Sequence, residues 1–462
     1  MTAPRHIAVL DVGKTNVKIA LVDMQDLSEK AVLTRSNTVL PGPPWPHFDT
    51  EGHWAFFLEG LAEFHRAHHV DAIAVTTHGA CAALLDEAGN LAAPILDYEH
   101  DGPDALAAQY DAIRSPFSQT GSPRLTGGLN VGAQLYWQFA QDAGLFERTK
   151  HIVMYPQYWT YRLIGVPASD VTSIGCHTDL WNPHTDQFSD LVARLNIAGK
   201  MAPVHKSAEV LGVIREEVAL ATGLPGQTPV VCGIHDSNAS LYPYVLTQDP
   251  PFSVVSSGTW LITMSMGAKP KQLDPRRDTL INVNAMGQAV PSARFMGGRE
   301  FEIILQGQST SANDVDARQV LETRCMLLPA VDPTTGPFQG QQMQWLNGEP
   351  PPGTSARTVA TAYYLALMTD VCLQLTGGHG PILVEGPFAR SPRFLDMLRA
   401  ATERPVHISH SVTGTSIGAA MLFGAPDHKI ELVPVPEPTD QALLARYAAQ
   451  WKHLTAHHRA QI

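Results

Sequence analysis

The sequence of 462 residues has few cysteines, no long hydrophobic run and a shortage of positive charge. Its five cysteines are odd in number and widely spaced, without a Cys-x-x-Cys pair, which argues against a disulfide framework and a structural zinc site. No stretch reaches the roughly 18 apolar residues of a membrane span. The N-terminus lacks the apolar region and cleavage site of a signal peptide. These absences predict a soluble, cytoplasmic protein.

Acidic residues outnumber basic ones, since 44 Asp and Glu against 32 Lys and Arg give a formal net charge of −12. Nucleic acids and anionic membranes do not attract a protein of this sign, so neither is predicted as a partner. A local basic pocket for a small anion is still compatible with the composition. The length exceeds the roughly 250 to 300 residues that one core serves, which predicts two domains, 1–230 and 231–462.

The pattern of apolar residues predicts an α/β protein. Residues 6–23 contain two apolar runs separated by GKTN, which is typical of an antiparallel hairpin. A third strand over 30–40, an amphipathic helix over 53–69 and a buried strand over 71–79 follow, and this order indicates a mixed sheet covered by helices. Residues 251–267 again have strand, short turn and strand, so the second half of the chain is expected to repeat the first.

The first hairpin turn is a candidate phosphate site. It is not a Walker loop, because the first glycine of that motif is missing and the turn joins two strands. Gly13 allows close backbone approach, Thr15 has a hydroxyl donor, and Lys14 or Lys18 supplies positive charge. Asp11, at the mouth of the turn, is placed to face a magnesium ion through water. The alternative is an ordinary polar hairpin.

A second candidate follows the buried strand of VVCGIHDSNAS, where His235, Asp236 and Ser237 precede an apparent helix. A carboxylate at such a strand end is rigidly held and lies where open α/β sheets bind ligands. The alternative is structural, because Asp or Ser before a helix is also the usual N-cap signature.

Two further candidates lie in the second half. SSGTW, residues 256–260, forms the turn of the second hairpin, and two such turns could hold the phosphates of one nucleotide from opposite sides of a cleft. VEGPFARSPRF contains a strand that ends at Gly386 and a helix start with Arg390, which indicates either the floor of a nucleotide pocket or a capped turn.

Taken in order, these motifs resemble the FGGY family of carbohydrate kinases. DVGKTNVK is similar to the first phosphate motif of the family, THGACAALLDEAGN to its substrate-side segment, and GTSIGAAMLFG to its closing helix. The run that leads to GIHDSNAS resembles the segment before the catalytic aspartate, and GIHD with SSGTW is most similar to the rhamnulokinases. The resemblance implies the two-domain, ribonuclease H-like fold of the actin, hexokinase and Hsp70 ATPase superfamily, with mixed sheets flanked by helices and a central cleft.

The resemblance also assigns roles to residues. It implies that Asp236 is the catalytic base, and that magnesium is held by Asp236 and, through water, by Asp11. The implied sugar contacts are His235, His78, Gly79 and Glu99. The implied ATP contacts are Asp11, Gly13, Lys14, Thr15, Lys18, Ser257, Gly258, Thr259, Gly386 and Arg390. Two segments depart from the family pattern: the usual Gly-Gly pair is Gly386-Pro387, and LDYEHD replaces a Trp-x-Asp-x-Arg-like sugar segment.

The implied activity is an ATP- and magnesium-dependent transfer of the γ-phosphoryl group to a hydroxyl of a ketose or deoxyketose similar to rhamnulose. The implied partners are the sugar and ATP, and a homodimer is compatible with the resemblance. One alternative is a regulatory ATP-binding switch of the same fold, although such a switch would not need an alcohol base at Asp236. A hydrolase that pairs Asp236 with Glu385 has no motif to support it.

Overall fold

The computed structural model of the chain describes residues 4–409, 414–425 and 431–458. These residues form two compact units. The first unit comprises Met1–Thr247, Ile281–Ala289 and Thr413–Lys429, and the second comprises Gln248–Leu280, Val290–Val412 and Ile430–Ile462. The division differs from the predicted boundary at 230, because residues 231–247 and two later segments pack with the first unit.

The described strands have two to nine residues, and β3 is the longest. They are β1 (His6–Val12), β2 (Asn16–Asp23), β3 (Ser28–Ser36), β4 (Val39–Leu40), β5 (His47–Phe48), β6 (Ala72–Thr77), β7 (Ala82–Leu85), β8 (His151–Met154), β9 (Ser169–Asp170), β10 (Trp181–Asn182), β11 (Gln187–Phe188), β12 (Val204–His205), β13 (Val210–Val213), β14 (Pro229–Val231), β15 (Ile234–His235), β16 (Phe252–Ser257), β17 (Leu261–Met266), β18 (Thr279–Val283), β19 (Ala289–Phe295), β20 (Met326–Leu328), β21 (Gln344–Leu346), β22 (Ile382–Glu385), β23 (Val406–Ser409) and β24 (Leu432–Pro434).

The helices occur singly between strands and in longer runs. They are α1 (Thr50–His68), α2 (Ala107–Ile113), α3 (Phe117–Thr120), α4 (Val131–Gln141), α5 (Leu145–Arg148), α6 (Tyr155–Ile164), α7 (Val171–Ile174), α8 (Asp190–Arg194), α9 (Glu216–Thr222), α10 (Asp236–Thr247), α11 (Gly297–Leu305), α12 (Asp314–Thr323), α13 (Ser355–Leu375), α14 (Pro392–Thr402), α15 (Thr415–Ala420) and α16 (Gln441–His458). Short 3₁₀ turns are formed by Gly102–Leu106, Pro275–Arg277, Pro387–Arg390 and Met421–Phe423.

The first unit is built on a seven-stranded sheet in the order β13-β14-β6-β1-β2-β3, with β15 paired to β6. Strand β1 runs antiparallel to β2 and parallel to β6, which confirms the predicted hairpin and mixed sheet. Alternate residues of β1 enter two different cores. Leu10 packs with Phe57 of α1 and Trp159 of α6, whereas Val9 packs with Ala239 of α10 and Ile417 of α15. This period of two fixes the sheet between two layers of helices.

The second unit contains another seven-stranded sheet, in the order β18-β19-β17-β16-β22-β23-β24. Strand β16 runs antiparallel to β17 and parallel to β22, which repeats the relation of β1 to β2 and β6. The predicted repeat of the opening architecture is therefore confirmed, as is the α/β class with mixed sheets flanked by helices.

Helix α13 is the main core helix of the second unit. It has 21 residues and a mean hydropathy of 1.2, so by length and composition it alone among the described helices could cross a membrane. However, 89% of its apolar window is buried inside the unit, as in the core helix of a globular protein. The five cysteines are also buried, and all are free thiols.

Candidate active site

The first hairpin turn is held rigid by its own backbone and by one asparagine. The amide of Gly13 donates to the carbonyl of Asn16 at 2.9 Å, and Asn37 donates from Nδ2 to the carbonyl of Gly13 at 2.8 Å and from its backbone to Thr15 at 2.9 Å. Among the described residues, no acceptor faces the backbone N–H of Lys14 or Thr15. The turn thus presents two oriented donors, as an anion site requires.

Asp11 lies at the end of β1 with only 9% of its surface exposed. The Thr415 hydroxyl donates to its Oδ2 at 2.6 Å, and the Lys18 ammonium is 3.7 Å from the same atom. Burial raises the pKa of Asp11 to about 6, and the negative charge of Asp236 raises it further, so the two carboxylates lie close enough to interact. Carboxylate oxygens are the ligands that Mg²⁺ uses together with substrate phosphates, so this pair fits the predicted ion.

Asp236 is the first residue of α10, and its side chain is 30% exposed. Its Oδ1 accepts from the backbone N–H of Ser237 at 2.5 Å and from the Ser237 hydroxyl at 3.3 Å. Its Oδ2 accepts no hydrogen bond from the residues that the structure describes. The structural and chemical interpretations of this aspartate are therefore compatible, because one oxygen binds the helix start and the other remains available.

His78 presents a buried hydrogen-bond acceptor. Its Nδ1 lies 2.8 Å from the carbonyl of Gly79, which can only accept, so Nδ1 bears the proton. Its Nε2 is buried and has no partner in the described chain. Burial lowers the pKa of His78 to about 4, so the ring is neutral at pH 7 and Nε2 is a bare acceptor. The ring centroid lies 5.0–5.2 Å from those of Phe48, Tyr98 and Tyr155.

Gly79 serves the site through its lack of a side chain. A Cβ there would lie 2.7 Å from Nε2 of His235, so the predicted sugar contact instead makes room for the imidazole. The same His235 nitrogen is 3.2 Å from Oδ1 of Asp236. The glycine therefore fixes where the His235 ring lies beside the carboxylate.

Sequence reasoning missed Cys176, a buried thiol beside the His235 ring. Burial alone would raise the pKa of Cys176, but the neighbouring imidazoles of His177 and His235 outweigh it and lower this pKa to about 5. Burial likewise opposes the charged form of His235, yet Cys176 and Asp236 raise the pKa of His235 to about 9. His177 is the next residue along the chain, but His235 comes from a distant segment, so the sequence has no signal for this arrangement.

Lys14 has partners that the sequence did not predict. Its ammonium forms ion pairs with Asp97 and, at 3.1 Å, with Oε2 of Glu99. It also lies 4.8 Å from the ring centroid of Tyr98 and 5.4 Å from that of Phe48. The side chain predicted to bind phosphate thus points at the segment predicted to bind sugar. Of that segment, sequence reasoning named Glu99 but missed the more deeply buried Asp97.

In the second unit, Ser257 and Gly386 brace the hairpin against the next strand. The Ser257 hydroxyl donates to the carbonyl of Glu385 at 2.6 Å and accepts from the backbone N–H of Phe388 at 3.1 Å. Gly386 has φ = +80°, and a Cβ there would lie 2.0 Å from the carbonyl oxygen of Ser257. Both were predicted as ATP contacts, but the serine hydroxyl is engaged within the protein and the glycine permits a backbone crossing.

A cavity of about 500 Å³ opens beside this crossing. Its size is that of a site for a nucleoside-sized molecule. Gly258, Thr259 and Arg390, which the sequence predicted, lie in its lining. The remaining lining residues come from α11, α13 and the segment after β22, and they are Gly298, Arg299, Phe301, Glu302, Thr358, Ala362, Leu365, Pro387, Phe388, Ser391 and Phe394.

Gly298, which sequence reasoning missed, is essential to the shape of that cavity. A Cβ on it would lie 2.2 Å from the carbonyl oxygen of Gly258, and its backbone N–H donates to Thr259 at 3.1 Å. The start of α11 therefore touches the second hairpin turn directly. The contact spans forty positions of sequence, and a Gly-Gly pair at a helix start does not reveal it.

Two family models match almost the whole chain. The model described as FGGY family of carbohydrate kinases, N-terminal domain, matches residues 6–242, and that described as carbohydrate kinase FGGY, C-terminal domain, matches residues 249–431. The chain belongs to the FGGY family of carbohydrate kinases. Both the predicted family and its actin- and hexokinase-like ATPase fold are thereby confirmed.

Individual relatives of this FGGY protein agree with the assignment. A carbohydrate kinase from Novosphingobium aromaticivorans is 32% identical, with a TM-score of 0.91 over 99% of this chain and 100% of that one. L-fuculokinase of Escherichia coli K12 is 26% identical over 273 residues, and the match spans 57% of each chain. Rhamnulokinase of Bacillus subtilis is 25% identical over 180 residues, 38% of this chain and 36% of that protein.

Proposed function

We propose that this FGGY protein transfers the γ-phosphoryl group of ATP to a hydroxyl of a ketose or deoxyketose. The observation that supports it most is the unpartnered Nε2 of the buried, neutral His78 ring, which lies near enough to the Asp236 carboxylate for that charge to raise the pKa of His78. An acceptor that lacks a partner inside a protein favours a ligand with a hydroxyl donor. The relatives named for L-fuculose and rhamnulose phosphorylation suggest the class of sugar.

The first unit binds the sugar in this proposal. Tyr98 packs on His78 and is partly exposed, so its ring offers apolar surface to the C–H groups of a sugar, whereas Phe48 and Tyr155 are buried and hold the His78 ring in place. His78 accepts a hydrogen bond from one hydroxyl of the sugar. The residues on either side of Tyr98 in the chain, Asp97 and Glu99, have carboxylates that can accept from other hydroxyls. Sugar recognition of this kind depends on pairing each buried polar group, because an unpaired one lowers affinity strongly.

Asp236 acts as the general base. The sugar oxygen attacks the γ-phosphorus, the bond from that phosphorus to the β–γ bridging oxygen breaks, and ADP leaves with the electron pair. The hydroxyl proton passes to Oδ2 of Asp236, which has no other hydrogen-bond partner in the described residues. His235 is bound to the other carboxylate oxygen and keeps the side chain oriented. Such a base contributes about 10²–10⁴-fold to the rate.

The second unit binds the nucleoside in its cavity. Phe388 stacks on Phe394 with ring centroids 5.3 Å apart, and Phe301 meets Phe388 edge to face at 5.9 Å, so the cavity has an aromatic side. Such surfaces stack well on a purine ring. Arg390 supplies positive charge at the rim. Magnesium, which Asp11 and Asp236 would hold, supplies neutralisation of the phosphate charge.

ADP release across a panel of sugars tests the activity. The purified full-length protein is incubated with ATP and magnesium, and each of L-fuculose, L-rhamnulose, xylulose, glycerol and no acceptor is added in turn. Release that depends on one of the ketoses supports the proposal. Equal release without any acceptor would favour the ATP-driven switch instead, and release with glycerol alone would contradict the assigned substrate class.

A further inference from the structure

The ammonium of Lys14 lies inside the group of residues assigned above to the sugar. It is paired with Asp97 and with Glu99 at 3.1 Å, and it lies over the ring of Tyr98 at 4.8 Å. Only 22% of the Lys14 side chain and 9% of the Asp97 side chain are exposed. A lysine enclosed by two carboxylates and an aromatic ring has partners for its charge without any phosphate.

The pair of Lys14 and Asp97 retains one free donor and one free acceptor. An ammonium group has three N–H donors, and the two carboxylates engage two of them. Both hydrogen bonds to the Asp97 side chain, from Lys14 and from the backbone N–H of Glu99 at 3.2 Å, end on Oδ1. Within residues 4–409, 414–425 and 431–458, no group donates to its Oδ2. An adjacent donor and acceptor match two neighbouring hydroxyls, one of which accepts while the other donates.

The surroundings of the pair also indicate a sugar. The Lys14 charge lowers the pKa of His78, whose buried Nε2 is the unpartnered acceptor described above. His78 packs on Tyr98, the same ring that lies under the Lys14 ammonium. One donor, two acceptors and an apolar aromatic face therefore share a single small region of the first unit.

We propose that Lys14 and Asp97 bind two adjacent hydroxyls of the sugar and thereby determine which sugar the protein accepts. This rests on the proposed kinase activity and replaces the phosphate contact that the sequence predicted for Lys14. The ammonium donates to one hydroxyl oxygen, and the neighbouring hydroxyl donates to Oδ2 of Asp97. Glu99 holds the ammonium in place from the other side.

Steady-state kinetics separate the two roles of Lys14. Lys14→Met keeps the length of the side chain and removes its charge, and it should raise the KM for the ketose found active in the sugar panel by about ten- to hundredfold. The KM for ATP should change less than about twofold, since no phosphate contact is lost. Asp97→Asn should have the same signature, and Lys14→Arg should restore part of the sugar affinity because a guanidinium can still donate to both partners.

Two control variants frame this result. Lys18→Met changes the other lysine of the hairpin, which lies 3.7 Å from Asp11, and should raise the KM for ATP. Lys30→Met, on the exposed strand β3, should leave both constants unchanged.

A rise of the KM for ATP in Lys14→Met, with the KM for sugar unchanged, would overturn the proposal and assign Lys14 to the phosphates instead. Wild-type protein inactive with every sugar would refute the kinase activity itself, and the sugar role of Lys14 with it.

Monodeoxy analogues of the active ketose test the hydroxyl pair directly. Sugar binding is measured without ATP, by tryptophan fluorescence, for wild type and for Lys14→Met. One analogue should bind wild type about ten- to hundredfold more weakly than the parent sugar and lose nothing further in the variant. If Lys14→Met weakens the binding of every analogue by the same further factor, the contact between Lys14 and a single hydroxyl is contradicted.

Discussion

The two hairpins of this FGGY family protein have the same architecture but very different chemistry. In each, the first strand runs antiparallel to its partner and parallel to a buried neighbour. Around the first hairpin lie Asp11, Lys14 and Lys18, and each is paired with another polar group. Around the second, glycines let backbone segments touch, since a Cβ on Gly298 or Gly386 would lie about 2 Å from a carbonyl oxygen.

This difference shows that one scaffold can make two kinds of site. Charged and polar side chains define the first region, which suits hydroxyl groups that must each find a donor or acceptor. Glycines, which have no side chain, define the second region. Backbone N–H groups suit a polyanion, and the neighbouring aromatic surfaces suit a flat ring. Substitutions that remove charge should therefore affect the first region most, and substitutions that add volume at the glycines of the second hairpin should affect the second region most.

The largest effect is expected from Asp236→Asn. The amide can still accept from Ser237 at the helix start but cannot take a proton, so kcat should fall by about 10²–10⁴-fold while the KM for ATP stays near its wild-type value. The rate of ADP release, measured over a range of ATP concentrations, gives both kcat and the KM for ATP. Asp190→Asn is the matched control, because Asp190 also opens a helix but is 60% exposed. Near-normal turnover in Asp236→Asn would remove Asp236 from the role of base.

Gly298→Ala should have the next largest effect, through volume alone. The new methyl group would lie 2.2 Å from the Gly258 carbonyl, so the turn must shift, with a loss of stability of about 1–3 kcal/mol. The KM for ATP should rise by about tenfold or more, because the cavity wall moves.

Gly258→Ala is the steric control for that variant. Its Cβ would have 3.9 Å of clearance from the nearest atom, so the thermal unfolding midpoint should stay close to that of wild type. If both alanine variants unfold at the same temperature, close backbone contact does not shape the second site, and the contrast between the two regions fails.

The first region should also give kcat/KM a pH dependence that the second region does not contribute. Burial raises the pKa of Asp11 to about 6, so below that pH the carboxyl is protonated and kcat/KM should fall about tenfold per pH unit. Thr415→Val removes a hydroxyl that donates to the carboxylate and lowers its pKa, so the acid limb should move to higher pH. An acid limb that stays in place in this variant would mean that another group controls it.

The smallest effect on activity is expected for Glu300, a buried acid of the second unit that accepts from Tyr364 at 3.0 Å and from the backbone N–H of Asp332 at 3.1 Å. Burial raises the pKa of Glu300 from 4.5 to about 7, so the folded protein binds this proton more tightly than the unfolded chain. Its contribution to stability is therefore greatest below pH 4.5 and declines until about pH 7, by on the order of 3 kcal/mol.

Thermal unfolding across this range measures the effect of Glu300. Glu300→Gln should unfold at a midpoint that changes less between pH 4.5 and 7 than that of wild type. Glu322→Gln, an exposed glutamate on α12, should follow the wild-type profile. Parallel profiles for wild type and Glu300→Gln would show that this carboxyl ionises as freely in the folded protein as in the unfolded chain.

Much of the fold could be predicted because its signals are local. The hairpins, the repeat of architecture and the strand that leads to Asp236 each depend on a short stretch of alternating or clustered apolar residues. The predicted boundary at 230 missed the true division for the opposite reason. Residues 281–289 and Thr415 return to the first unit through contacts with distant segments, and Thr415 binds a residue 404 positions earlier.

The candidate site was predicted in its residue types but not in its partners. The resemblance predicted roles for Asp236, His78 and the first turn, since it carries over motifs, and these roles stay predictions. Resemblance does not show which way a side chain points, so Lys14 was predicted to face phosphate and Ser257 to bind ATP, whereas each is engaged elsewhere in the structure. The resemblance assigned no role to Gly298 or Cys176, and only packing reveals their contacts.

The sequence by itself determined the family, the two mixed sheets and the order of the motifs, because alternation of apolar residues and turn chemistry act over a few neighbouring positions. The tertiary structure alone decided which ionisable groups meet, which carboxyl is buried enough to have a raised pKa, and which glycines allow two backbones to touch. Those properties depend on distances between remote segments, and on how much water remains between them. Local motifs therefore predict the residues of the candidate site, whereas burial and contacts between distant segments set their chemistry.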